Sequence, residues 1–305
     1  MKKSLNFLIA FLLCTGLQAQ TYKLSLNLVK GKDYYQTTDM LMSIKQTVNG
    51  QEMNINMNVN GRTKFHVTSV EGGVYGLDVS YLALGMKMEM PMGAVHFDSE
   101  SSDTTNAMIG VLRSMKGKSF QIKMTKDGKV TEVKNIDALM ASAFESSKIP
   151  ADQQAQMKAQ VMQSYGEKAF KSSIESLAKI FPDKPVSKGE SWTINNQVAS
   201  SVVLDVASVY KLDDIVGNAY LISGTGTLSS ANKDAYQSQN GVEMRVDISG
   251  TQAYSMKLDK ASGWIIEATT IQDLKGNTYL KASEQLPQGM TIPMELKGNS
   301  TIKGI

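Results

Sequence analysis

The chain has 305 residues, with 32 Lys and Arg against 29 Asp and Glu, two histidines and a single cysteine, Cys14. So even a charge balance gives no electrostatic footing for nucleic acid or an anionic membrane surface, and one cysteine excludes a disulfide framework within the chain. Low aromatic content (7%) beside 19 methionines marks an interior built from flexible, polarizable thioethers.

Residues 1–19 read as a secretory leader. Lys2 and Lys3 form the basic start, residues 5–13 form an apolar core too short for a permanent span, and Ala19 is a small residue before a cut at Gln20. Cys14 is filler in that apolar core, because Leu13 stands where a lipoprotein signal wants a small residue. Without the leader the chain has no cysteine, so thiolate nucleophiles and Cys-ligated zinc are excluded, and it has no transmembrane segment. About 285 residues remain, enough for one large β domain or two fused similar ones.

The first half reads as antiparallel β. Apolar residues fall on even positions over 34–48 (Met40, Met42, Ile44, Val48) and on odd positions over 51–59 (Met53, Ile55, Met57, Val59). Asn49-Gly50 between them is a type I′ hairpin signal, which pairs Met40 with Val59, Met42 with Met57 and Ile44 with Ile55 on one face. Asn54, Asn56 and Asn58 then face water. Further turns are expected at Asn60-Gly61, Gly72-Gly73 and 91–93, the last after a strand carrying Met86, Met88 and Met90. A polar loop over 98–103 precedes a helix capped by Thr104 or Thr105 and ended by Gly117. A hairpin at Asp127-Gly128 follows.

Residues 135–181 form the one sustained helical block. One helix starts at Asn135 or Asp137, Pro150 opens a second, and Gly166 separates a third in which Phe170, Ile174, Leu177 and Phe181 share a stripe. β-pattern then returns over 191–199, 201–212, 219–228, 242–258, 264–274 and 291–296. Three short stretches of the first β region are echoed in order by the second: 28–34 by 186–192, 70–75 by 215–220, and 124–130 by 258–264. The expected fold is mainly antiparallel β with a helical insert (α+β), a curved sheet or half-barrel built from two duplicated β units. The expected divisions are a signal peptide at 1–19, β units at 20–134 and 182–305, and the insert at 135–181.

Phe181-Pro182-Asp183-Lys184-Pro185-Val186 followed by Gly189-Glu190-Ser191-Trp192, with 28–34 and Phe97-Asp98-Ser99, resembles a group of uncharacterised secreted proteins common in Bacteroidetes and classed as a domain of unknown function. That resemblance implies export and a β-rich fold, with no activity attached. More loosely, a curved sheet with helices across one face is similar to the half-barrels of periplasmic lipoprotein carriers and lipid-binding lipoproteins, an analogy of fold alone.

Little in the sequence favours an enzyme. His66 and His96 each sit in a strand pattern, and no nucleophile elbow, zinc-protease helix, P-loop or dinucleotide fingerprint is present. The acidic loop over 98–103 has oxygen ligands for calcium but lacks the glycine and register of a calcium loop, so it reads as solvated. The methionine stripe is open to three readings: core packing, an apolar ligand surface, or Cu(I) held by thioethers. Met40, Met42, Met53, Met57, Met86, Met88 and Met90 are the candidate ligand-binding residues, brought together if Gly85 hosts a bulge, with the amphipathic helices as their cover. No metal and no cofactor is expected. The expected function is an exported, non-catalytic binding protein for an apolar or amphipathic ligand, a lipid or acyl chain. The alternative is a structural or envelope-associated interaction protein with a filled core and an envelope protein as partner. Either reading places it in the periplasm or outside the cell.

Overall fold

A computed structural model describes residues 20–305 apart from 104, 148, 200, 201, 240, 241 and 285, so the leader expected at 1–19 and the Thr104 cap lie outside the described residues. In chain order the elements are β1 (Thr21–Tyr22), β2 (Asp33–Val48), β3 (Gln51–Glu71), β4 (Val74–Met90), β5 (Gly93–Asp98), α1 (Ala107–Met115), β6 (Ser119–Thr125), β7 (Val130–Lys134), α2 (Ile136–Glu145), α3 (Ala151–Tyr165), α4 (Glu167–Ala178), β8 (Val186–Ser187), β9 (Ser191–Ala199), β10 (Val203–Val216), β11 (Ala219–Ser230), β12 (Gln237–Gln239), β13 (Val242–Asp259), β14 (Ile265–Leu280) and β15 (Met290–Gly304).

The long strands form a single curved antiparallel sheet in the order β7-β6-β4-β3-β2-β15-β14-β13-β11-β10-β9, which stays open. The Asn49-Gly50 hairpin forms with φ of 51° and 79°, as a type I′ turn requires. Its register is the expected one: Met40 faces Val59, Met42 faces Met57 and Ile44 faces Ile55. Asn60-Gly61, by contrast, is no turn. β3 runs straight through it, because partners on both sides (Thr38 on β2, Leu84 on β4) hold Gly61 extended. Continuous ladders on two edges outweigh a two-residue turn preference. The expected bulge near Gly85 is also displaced: the β3–β4 ladder slips between Arg62 and Thr63, opposite Leu82, and Gly85 pairs regularly with Asn60. The exposed Asn60 side chain lies over Gly85, and a Cβ there would displace its Oδ1.

The sequence echoes mark a structural repeat. Gly31 N donates to Val67 O at 2.8 Å and Gly189 N to Leu212 O at 2.7 Å, while Lys32 N bonds Val29 O and Glu190 N bonds Ser187 O in the same way. The β3–β4 ladder slips between Val67 and Ser69, and β10–β11 slips between Leu212 and Asp214. The slip at Lys123/Met124 against β7 matches that at Lys257/Leu258 against β14. Two meanders therefore follow each other round one sheet, joined by β15 pairing with β2 on one side and β14 on the other.

Three devices hold the curved sheet together at the end where these echoed turns lie. Residues 24–28 thread between two matching turns, with Leu26 N donating to Lys126 O and Asn27 N to Ser262 O, and bury Leu24, Leu26 and Leu28. Gly263 at φ 69° is required there, because any Cβ would strike the carbonyl of Ser25. Helix α4 bridges the two free edges: Glu175 Oε1 accepts from Val130 N on β7 at 2.8 Å, and Ser172 Oγ accepts from Ala199 N on β9 at 2.6 Å. Edge N–H groups left bare would invite pairing with another chain. A core of Phe120, Phe144, Phe170, Tyr75, Leu77 and Val79 fills the space between helices and sheet.

The helices differ in detail from expectation. Asn106, not Thr105, caps α1, accepting from Met108 N and Ile109 N. Pro150 and Gly166 flank α3 as expected, and Asp137 of α2 caps α4 by accepting from Glu167 N at 3.0 Å. α4 ends at Ala178, so Phe181 reaches the core from the loop beyond it. The helices also cover a different surface than expected. They pack on Phe120, Ile122 and Phe65 at one end of the sheet and leave the methionine rows half-buried. The reason is α4, whose hydrogen bonds to both edges tether the block at that end.

Candidate functional site

Beyond the helices the concave face holds a partly open cavity of about 710 Å³. Strand pairing sets its wall as a series of rows. One row is aliphatic: Ile44, Leu296, Leu274, Gly250, Leu228 and Val206 follow one another across β2, β15, β14, β13, β11 and β10. The next row towards the helices runs Met42, Gly298, Gln272, Gln252, Gly226 and Ser208 along the same strands. A third, nearest the helices, runs Met40, Ser300, Thr270, Tyr254, Gly224 and Tyr210, with Trp192 after it on β9. Ile248, Val246, Met294 and Met244 carry the apolar lining on to the opposite end of the sheet.

Glycines in these rows leave room for large neighbours. A Cβ at Gly224 would sit 2.9 Å from Tyr210 Cδ1 and 3.2 Å from Tyr254 Cδ2, so only glycine lets both rings lie against the sheet. Tyr254 and Tyr210 have ring centroids 5.2 Å apart, and Trp192 stacks on Tyr210 while its Nε1 donates to Ile180 O at 2.7 Å.

A polar ladder crosses the wall. Gln272 Nε2 donates to Gln252 Oε1 at 3.0 Å, Gln252 Nε2 donates to the Tyr254 hydroxyl, and Ser208 Oγ lies 2.9 Å from that hydroxyl. Burial pushes the Tyr210 and Tyr254 hydroxyls up, so both stay neutral. Among the described lining residues the one charged side chain is Arg245, held 3.7 Å from the Tyr279 ring centroid and donating to Lys233 O at the far end. The site is thus mainly apolar, with amide and hydroxyl groups and a single charge, Arg245, at its far end.

Of the seven candidate residues, Met40 and Met42 line this cavity. Met57 and Met88 continue the row of Met42, and Met86 continues the row of Met40 through Val59, so the shared face forms as expected. Met53 lies opposite Gln46 nearer the Asn49-Gly50 tip, and Met90 is exposed at the end of β4. These five lie outside the cavity lining. The aliphatic rows of β10–β15 and the glutamine ladder were missed. Their alternation over 203–258 was visible, but only the β15–β2 pairing brings them opposite Met40 and Met42.

The other groups with chemical potential are occupied or apart. His66 Nδ1 lies 2.6 Å from Asp33 Oδ1 on the outer face, and this bond holds the Asp33 carboxyl below the usual carboxylate range. His96 faces Lys87, whose β3 partner is Asn58, eight residues along β3 from His66, which is roughly 26 Å. In the acidic loop Asp98 and Asp103 accept from their own backbone, and Glu100 pairs with Arg62 and Lys116 at 3.2 Å each. Among the described residues no three His, Cys, Asp or Glu gather as metal ligands, and no helix is long and apolar enough to cross a membrane.

No curated protein matches the chain. Among solved structures, a lipovitellin structure whose title concerns lipid–protein interactions aligns at TM-score 0.49 and 8% identity, covering 92% of this chain and 25% of that one, so the chain spans about a quarter of it. An outer membrane channel from Pseudomonas putida F1 aligns at TM-score 0.23 and 6% identity, covering 92% of this chain and 97% of that one. A domain from Vibrio parahaemolyticus assigned to outer membrane lipoprotein sorting aligns at TM-score 0.14 and 7% identity, covering 88% and 83%. The model of a family of unknown function (DUF6263) matches residues 72–265, from the β3–β4 turn to the start of β14, and the chain belongs to that family.

Proposed function

We propose that this chain is an exported, non-catalytic binding protein that takes an apolar or amphipathic ligand, a lipid or acyl chain, on the concave face of its sheet. The observation that carries this reading is the cavity of about 710 Å³ walled by Met40, Met42, Ile44, Leu274, Ile248 and Leu296. A cavity of that size falls in the range of small-molecule sites, and covering its apolar wall with a bound chain would remove that surface from water. A filled-core structural protein would have no reason to keep it. The leader at 1–19 supports export to the periplasm or beyond. The two separated histidines and the occupied acidic loop favour binding over catalysis.

Native mass spectrometry of the exported protein tests this directly, and adducts of lipid mass are expected. Met42→Trp should occupy the cavity and reduce those adducts while the protein stays folded. Met42→Leu with Met57→Leu is the complementary probe. Unchanged lipid content together with higher thermal stability in that double variant would return the methionine face to the filled-core reading.

A further inference from the structure

The lining of the cavity carries neutral polar groups in two places, and the better-built of them bears on what the ligand carries. Towards the far end its rows are aliphatic, with Leu296, Leu274, Leu228, Val206, Ile248, and Met244 beyond, bordered by Ser230, Thr278 and Gln237. Towards the helices they hold Gln272, Gln252, Tyr254, Ser208 and Thr270. Gln252 is 7% exposed, and glycines flank the ladder in its own row at 226 and 298. Those glycines let the ladder's own side chains lie over the sheet: a Cβ at Gly226 would sit 2.9 Å from Ser208 Oγ and 3.1 Å from Gln252 Cγ, and one at Gly298 would sit 3.4 Å from Gln272 Oε1. Each primary amide offers two N–H donors and a carbonyl acceptor. The ladder's internal bonds use one N–H of each glutamine and the Gln252 carbonyl, and among the described residues nothing donates to Gln272 Oε1. The ladder therefore has unspent donors and an acceptor on residues that line the cavity.

Charge is absent from the part of the wall around the ladder. Burying an anion where no cation can pair with it is costly, whereas an ester, amide or hydroxyl can be matched by neutral partners. The one charged lining residue, Arg245, stands seven residues along β13 from Gln252, roughly 23 Å away. It is further removed by its stacking on Tyr279 and its bond to Lys233 O. From Gln252 to Met244 the aliphatic wall extends for eight strand residues, roughly 27 Å, enough for an extended long acyl chain.

We infer, building on the binding reading above, that the ligand is a neutral lipid whose uncharged hydrogen-bonding group enters first and seats on the Gln252–Gln272–Tyr254 ladder, its chain lying along the aliphatic rows towards Met244. An ionised fatty acid is disfavoured in the same position, because its carboxylate meets no cation there.

Delipidated protein loaded with an apolar environment-sensitive dye provides the test, with monoolein and oleate as competitors at pH 9. Monoolein should displace the dye at a concentration at least tenfold lower than oleate, and the gap should narrow at about pH 5, where oleate takes up protons. Gln252→Leu with Gln272→Leu should erase the preference for monoolein, read as the ratio of the two competitors' displacement concentrations so that any change in dye affinity cancels. Tyr254→Phe, a smaller change, should narrow the preference severalfold. Equal competition by oleate and monoolein at pH 9, or a preference untouched by the double leucine variant, overturns the inference while leaving apolar binding intact. Binding of neither competitor nor dye would instead overturn the binding reading on which it rests.

Discussion

At the scale of single residues, the same dipeptide can mean opposite things. Asn49-Gly50 closes a hairpin with both residues at positive φ, whereas Asn60-Gly61 lies extended within a 21-residue strand. The difference is legible beforehand only in part: the apolar positions change parity across Asn49-Gly50 and keep it from Met53 through Val59, just before Asn60. The Asp33–His66 pair makes a prediction at this scale. Its bond lowers the Asp33 pKa, so the stabilisation it gives is fully present above the ordinary value of 3.8 and is lost as pH falls through the depressed folded value. Asp33→Asn should therefore melt below wild type at neutral pH, and the gap should close in acid. Thermal scans between about pH 6 and pH 3 check the sign, and a gap constant over that range would show that the bond contributes nothing. The pair is about one-third exposed, so the effect is expected to be small.

At the scale of elements, α4 holds the two edges of an open sheet, a role no helical pattern announces. Its apolar stripe was legible at 4-3-4 spacing, and Phe170 is buried as that stripe requires. What the stripe could not reveal is that the polar residues beside it, Ser172 and Glu175, would meet two strands 27 and 45 residues distant in sequence, respectively. Ser172→Ala leaves the Ala199 N–H without its acceptor and should cost about 1–3 kcal/mol. Glu175→Ala should lower stability in the same direction through the Val130 N–H, and Glu175→Gln, which keeps a carbonyl acceptor, should recover most of the loss. Chemical denaturation of the three variants distinguishes these outcomes. A Glu175→Gln variant as unstable as Glu175→Ala would assign the effect to charge, not to the edge bond. Exposed edges should also raise self-association in Ser172→Ala, measurable by light scattering.

At the scale of the whole molecule, β15 is the element that makes one sheet of two meanders. Removing residues 290–305 would free the edges of β2 and β14 together and open the cavity wall at Leu296 and Gly298. The truncated protein should lose its single cooperative transition and associate through the freed edges. A monomer with an unchanged denaturation midpoint would mean that the meanders hold together without it. The sequence by itself determined the β class, the Asn49-Gly50 register, the echoed turns and the helical insert, because each rests on contacts between residues near in the chain or on periodicity within one element. It placed Met40 and Met42 on one face for the same reason. Only the tertiary structure decided which surface the helices cover, that the two β regions share a sheet, and that Gln252 and Gln272 stand opposite those methionines. Those outcomes depend on β15 pairing with β2 and on α4 bonding to both edges. Such contacts between distant segments are selected by the packing of the whole molecule, and no local pattern encodes them.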